Sequence, residues 1–188
     1  MPKLIDEEKV FVATIKIFIA RGYEHTTTKD IAAEAGVHEA TLYRKYGSKA
    51  GLIERALEYR LSDTPLDKVT YTGDLEADLV RIVQAQIETH TTVHNDILSV
   101  LLAEVPLHVE LKNAMARPLA HIARVANILH EYQMQGLLKE ESILATVGVL
   151  LGPIIMRGMF ERAVPFLPVP PPPDPQEYVD HFLHGKSV

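Results

Sequence analysis

Arg44, Lys45, Lys49, Arg55 and Arg60 fall within 17 positions that contain only two acids, Glu54 and Glu58. Cations at that density suit the phosphates of a nucleic acid, and a helical arginine can also grip a guanine edge with two hydrogen bonds. The overall charge of −6 hides this cluster. Residues 1–60 carry 10 Lys+Arg against 9 Asp+Glu, for +1, whereas residues 61–188 carry 9 against 16, for −7. A change of sign along the chain suggests two regions with different partners, and DNA, if it is one, meets the first.

Other chemistries find less support. With no Cys, the chain has no disulfides, thiolate nucleophile or Cys-type zinc site. Nine histidines invite a metal reading, and His90 and His94 lie four apart with His108, His121 and His130 elsewhere. The intervening Thr91-Thr92-Val93 lacks the glutamate of a zinc-protease helix, so no metal site is expected. No strained nucleophile turn is present, so no catalytic residue and no cofactor are expected. The composition, 47% hydrophobic and 23% charged, is that of a globular chain. Its longest apolar run, Val147 to Met156, is about half of the roughly 20 residues a bilayer span requires. Lys3, Asp6, Glu7, Glu8 and Lys9 leave no signal-peptide core, and a cytoplasmic protein without a membrane partner is expected.

The elements that must position the cations read as helices throughout. Val10, Ala13, Ile17 and Phe18 take helical spacing, with Phe11, Ile15 and Ile19 as a second stripe and Arg21-Gly22 as the stop. Thr27 and Asp30 resemble a capping box before Ile31-Ala32-Ala35, and Gly36 ends that short helix. A third helix spans His38 to Tyr46 with Leu42 inward. Two helices of about eight residues across a glycine turn form a helix-turn-helix pattern. A fourth starts near Ser48 and carries Leu52, Ile53, Ala56, Leu57 and Leu61. Further stripes follow over Leu75–Ile87 and Ile97–Leu102, then from Pro106 to Gly136 with a bend at Pro118. Ser142–Arg162 is apolar nearly all round, which predicts burial in its domain or against another chain. Prolines between Pro165 and Pro173 make an extended connector to a last helix over Pro175–His184.

The elements Ile31-Ala32-x-x-Ala35-Gly36-Val37, Thr41-Leu42-Tyr43 and Ser48-Lys49-x-x-Leu52 follow a helix ending Phe18-x-x-x-Gly22. This composite, over about residues 10–57, resembles the N-terminal signature of the TetR family of bacterial transcriptional regulators. The resemblance implies an all-α chain: a three-helix DNA-binding module over 1–47, then a helical effector-binding and dimerisation domain over 48–188, with helix 48–62 as connector. It also implies a homodimer on a near-palindromic operator, most often a repressor, released by a small-molecule effector. Three positions depart from the pattern: His38 replaces a small polar residue, Glu39 places an acid on the reading helix, and Gly51 replaces the acid common three residues after Ser48. The last change predicts a weaker capping box for helix four.

On this reading Glu39, Ala40 and Arg44 are the candidate base readers, arginine for guanine and glutamate for the cytosine amino group, with His38 able to do either. Thr28, Thr41, Tyr43, Lys45 and Lys49 are candidate phosphate contacts, and Thr28, Tyr43 and Lys49 match the family's contact positions most closely. In the second domain Gln86, His90, His94, His121 and Asn127 are candidate polar contacts to a largely apolar effector. Gly148-x-x-x-Gly152 would let a second helix approach, so Gly148, Leu151, Gly152 and Ile155 are the candidate dimer contacts. Two alternatives remain: a His-dependent metalloenzyme using His90 and His94, and a helical interaction module without DNA binding.

Overall fold

Side-chain caps decide where three of the first four helices begin. In the computed structural model, which describes residues 6–89, 92–164, 166 and 168–186, α1 (Glu7–Arg21) starts where the Asp6 side chain accepts the Lys9 N–H at 3.2 Å. α2 (Thr28–Ala35) starts where the Thr27 hydroxyl accepts the Asp30 N–H at 3.1 Å. Each such bond satisfies an amide that the helix itself cannot. Gly36 closes α2 in the left-handed conformation, φ 68° and ψ 35°, which a side chain would resist, and the chain turns into α3 (Glu39–Tyr46).

α4 (Lys49–Arg60) begins with the Ser48 hydroxyl accepting the Gly51 N–H at 3.0 Å, so half of the capping box survives. Gly51 has its own reason to be glycine. A Cβ there would lie 2.5 Å from the Tyr46 carbonyl oxygen, so the acid common in the family would force the α3–α4 turn apart. Gly51→Ala is therefore expected to destabilise the protein by about 1–3 kcal/mol, although alanine is the better helix former by about 1 kcal/mol. Urea unfolding followed by circular dichroism checks this; a gain in stability would mean that the turn relaxes freely.

By packing, the chain divides into two units, Met1–Ser62 with Asp96–Arg117, and Asp63–Asn95 with Pro118–Val188. In the first, α1 packs on α4 and α2 around Val10, Phe18, Ile31, Leu42, Leu52 and Ile53, all buried. Phe11 rests on the rings of Tyr46 and Tyr59, with centroids 5.8 and 5.3 Å away. α4 also packs on a 3-10 segment, Val109–Met115, whose Leu111 is fully buried. Packing thus keeps α4 and residues 96–117 with the first three helices, across the expected boundary at 47/48.

The second unit contains α5 (Leu75–Thr89) and α9 (Pro175–Lys186), with α8 (Ile143–Ala163) and most of α7 (Ala116–Met134). The helix between α5 and α7 is α6 (Thr92–Glu104). Leu79, Ile82, Val83, Val125, Leu129, Leu150 and Val179 form the core of the second unit. Asp78, 1% exposed, accepts the Thr72 N–H at 2.8 Å, the Thr72 hydroxyl at 2.7 Å, the Tyr132 hydroxyl and an Arg81 N–H. The loop before α5 is thereby tied to α7.

Two expectations are corrected here. The stretch from Pro106 is not one helix: the 3-10 segment precedes α7, and Pro118 sits in the first turn of α7, where its missing N–H breaks no helical bond and causes no bend. The burial expected of α8, in its domain or against another chain, is met within its own domain on one face only. Val147, Leu150, Leu151 and Ile154 enter the core, whereas Leu144, Val149, Met156 and Phe160 are between 47% and 67% exposed. By length and composition alone Ile143–Glu161, 19 residues at mean hydropathy 1.9, would also cross a bilayer. Counting only the unbroken run Val147–Met156 missed this, because apolar residues continue on both sides of it. Packing of its inner face into the core of the second unit accounts for part of that composition.

Candidate nucleic-acid interface

Eight residues make α3, and Leu42 alone among them is buried. It enters the core between α2 and α4 and anchors the helix, leaving Ala40, Tyr43 and Arg44 on the surface, with Glu39 and Thr41 half-buried. Tyr43 is 50% exposed. His38, also exposed, stands at the N-cap and makes no side-chain cap bond. The outward residues of one short, rigidly held helix therefore comprise a guanidinium, a phenol, an imidazole, a methyl and a carboxylate. Those are the groups that read base edges and position phosphates.

Thr28 occupies the first turn of α2 and is only 5% exposed. Its hydroxyl donates to Glu39 Oε1 at 2.6 Å and lies 3.2 Å from the Tyr43 hydroxyl. Three of the predicted site residues, one from α2 and two from successive turns of α3, thus converge into one hydrogen-bonded group.

The cations divide into bound and free. Lys45 pairs with Glu7 of α1. The Lys49 ammonium donates to the Tyr23 carbonyl at 2.7 Å and lies 4.0 Å from the Tyr23 ring centroid, which clamps the turn between α1 and α2. Tyr23 is itself held on its other side by the His108 ring, centroids 4.8 Å apart. Burial, helped by Glu110, raises the phenol of Tyr23 above its usual range and keeps it neutral. Arg44 forms no hydrogen bond or ion pair with any described residue, and neither does Lys29, exposed beside Thr28. Sequence reasoning passed over Lys29 because it lies outside the dense cluster of cations; its signal was a lysine in the first turn of a helix whose inward face is set by Ile31 and Ala32.

In the second unit the predicted effector contacts scatter. Gln86, 3% exposed, lies on the stripe of α5 that also buries Leu79 and Ile82. Thr89, one turn further and 5% exposed, carries a buried hydroxyl with no hydrogen-bond partner among the described residues. Thr89 was not predicted, although its spacing of three from Gln86 places it on the same face. His121 Nε2 lies 3.3 Å from the Thr64 hydroxyl and 3.3 Å from Asp67 Oδ1, so the ring braces the 3-10 turn Pro65–Lys68. Asn127 is exposed on α7, away from the buried stripe that holds Val125 and Leu129. His90 lies outside the described residues, as does the side chain of His94. Among the described residues, no three His, Asp or Glu side chains gather where a metal ion could sit.

The dimer candidates separate by helical phase. Gly148 is exposed and Gly152 half-exposed, and a Cβ at either would meet nothing within 4 Å. Leu151, 3% exposed, belongs to the core of its own unit, and half-buried Ile155 packs against that core. Leu144, Val149, Met156 and Phe160 supply the apolar surface instead.

Comparison with known proteins places this geometry. Residues 10–56, from α1 through most of α4, match the family model for bacterial regulatory proteins of the tetR family. An HTH-type transcriptional regulator of Bacillus subtilis (strain 168), YvkB, itself uncharacterized, is 35% identical over 81 residues, 43% of this chain and 43% of that protein. The nucleoid occlusion factor SlmA of Pasteurella multocida (strain Pm70) is 38% identical over 99 residues, 50% of this chain and 42% of that protein. The chain thus matches less than half the length of these curated relatives. The crystal structure of a TetR family transcriptional regulator from Pseudomonas syringae pv. tomato str. DC3000 superposes with a TM-score of 0.74 at 18% identity, covering 99% of each chain. The all-helical fold is thereby shared along the chain, while sequence similarity concentrates in the N-terminal half.

Proposed function

We propose that this chain, which belongs to the TetR family of bacterial regulatory proteins, is a DNA-binding transcriptional regulator: a cytoplasmic homodimeric repressor that holds a near-palindromic operator until a small-molecule effector releases it. The observation that carries the reading is α3, a helix anchored by buried Leu42 with Ala40, Tyr43 and unpaired Arg44 turned outward. A helix so placed enters the major groove with its outer face against base edges, while donors at the start of the preceding helix meet the backbone. The similarity to an HTH-type transcriptional regulator and to a nucleoid occlusion factor supports the same role. No catalytic residue, metal or cofactor is required.

The outer face of α8 supports the homodimer: Leu144, Val149, Met156 and Phe160 expose apolar surface beside two glycines that admit a second helix closely. The unpartnered Thr89 hydroxyl, next to buried Gln86, supports an effector of mostly apolar character bearing a hydrogen-bonding oxygen or nitrogen. Such an effector releases DNA only by binding the DNA-incompatible form more tightly, so the affinities for effector and operator are reciprocally coupled.

Selection of duplexes from a random pool at about physiological salt tests the reading. The expected result is an enriched inverted repeat with half-sites about one helical turn apart. Recovery of the unselected pool sequence would reduce the chain to a fold without its reading function.

A further inference from the structure

The Thr28 hydroxyl, at the position where the DNA backbone is expected to be met, is already engaged. Its acceptor is Glu39 Oε1 at 2.6 Å, an anionic oxygen of the same hydrogen-bonding kind as a phosphodiester oxygen. Tyr43, one turn beyond Glu39 on α3, brings its hydroxyl to 3.2 Å from that of Thr28, so a single carboxylate occupies the neighbourhood of both donors. The contact leaves Thr28 only 5% exposed. We propose that Glu39 is a specificity-determining competitor for the backbone phosphate, holding Thr28 away from DNA until a base edge draws the carboxylate off.

The proposal rests on the DNA-binding reading above and adds a role that a simple base contact lacks. A phosphate approaching Thr28 must displace Glu39 and also meets its negative charge, so binding to an arbitrary duplex is penalised. A half-site that presents a cytosine amino group within reach of Glu39 gives the carboxylate a new donor, and Thr28 is freed for the phosphate. Arbitrary DNA lacks that compensation at most registers. The device works by weakening the wrong complexes rather than by strengthening the right one. It also fits the modest number of free cations on this face, Lys29 and Arg44, which leaves non-specific attraction low enough for one carboxylate to matter.

A double-mutant cycle on the full chain tests it, with binding of a labelled random-sequence duplex and of the enriched operator read by fluorescence anisotropy. The proteins are wild type, Glu39→Ala, Thr28→Val and the double variant, each checked for fold by circular dichroism. Glu39→Ala is expected to tighten random-duplex binding about tenfold, as for loss of a charged hydrogen bond and a like-charge repulsion, and to shrink the operator-to-random ratio. In the Thr28→Val background the same change is expected to tighten random-duplex binding clearly less, by about twofold to threefold, because the contested donor is gone and only the like-charge repulsion is relieved. Glu39→Gln keeps the side-chain shape and removes only the charge; it should fall between wild type and Glu39→Ala, and it stands in should the alanine variant fail to fold. Equal gains in both backgrounds would make Glu39 a general negative charge and overturn the proposal, as would no gain at all. Should wild type bind operator while the cycle shows no coupling, only this proposal fails. Should no protein in the set bind any duplex at low salt, the DNA-binding reading fails and the proposal with it.

Discussion

Alanine at position 78 is expected to lower stability by about 3–5 kcal/mol, the largest loss anticipated from any single change in the second unit. The carboxylate of Asp78 is buried and satisfies four donors at once: the amide and hydroxyl of Thr72, the Tyr132 hydroxyl and Arg81. Truncation strands the Tyr132 hydroxyl inside the core and leaves Arg81 without its partner, and each buried unmade bond costs about 1–3 kcal/mol. Burial by itself pushes the Asp78 carboxyl up, but hydrogen bonds from Thr72, Tyr132 and Arg81 outweigh it and hold the carboxyl below its usual range. Burial and the same hydrogen bond raise the Tyr132 phenol far above its own. The sign for stability follows. A carboxyl depressed on folding contributes stability that is present above its unfolded pKa of about 3.9 and lost as pH falls through the folded value. Urea unfolding of wild type and Asp78→Asn between pH 7 and pH 2 checks this, since the asparagine variant should be weaker at neutral pH and lack that part of the acid-side loss. Parallel pH profiles for the two proteins would remove Asp78 from the acid response.

That network also marks how far a sequence can be read. Asp78 and Tyr132 are 54 positions apart, and neither helical period nor capping pattern joins them; only tertiary packing does. Local signals fared well for the same reason turned around. Thr27 and Ser48 cap helices through bonds to residues three positions on, so the starts of α2 and α4 were legible from adjacent residues, whereas Asp6 caps α1 four positions before the apolar stripe that marked that helix. The helix-turn-helix was readable because Gly36 and the inward residues Ile31 and Leu42 are set by local geometry. α8 raises a global question. Apolar residues all round announce burial, but the chain buries one face in its own core and leaves the other exposed, a division that composition does not encode. Lys49 illustrates the same limit at the candidate site. Its place in the motif indicates a phosphate contact, and the fold adds what the motif does not encode, a bond from its ammonium to the Tyr23 carbonyl and ring, 26 positions upstream.

With Lys45 and Lys49 engaged inside the protein, Arg44 becomes the decisive side chain of α3, and its removal is expected to have the largest effect on DNA binding. A bidentate arginine–guanine contact discriminates by about 1–3 kcal/mol, and the proposed homodimer would make it twice, so Arg44→Ala should weaken operator binding by about 2–6 kcal/mol, roughly 30-fold to 20,000-fold. Binding to random duplex should fall much less, by no more than about tenfold, because there the arginine contributes only one charge per protomer. Arg44→Lys separates charge from geometry. An ammonium keeps the attraction to phosphates but cannot present two parallel N–H donors to the O6 and N7 edge of guanine. Lysine should therefore leave random-duplex affinity and its salt dependence near wild type while losing most of the operator preference. Titrations of both variants against the two duplexes over a range of salt concentrations check the assignment. If alanine weakens both duplexes equally and lysine restores both, Arg44 serves the backbone, and base recognition passes to His38, Glu39 and Ala40 at the start of the helix.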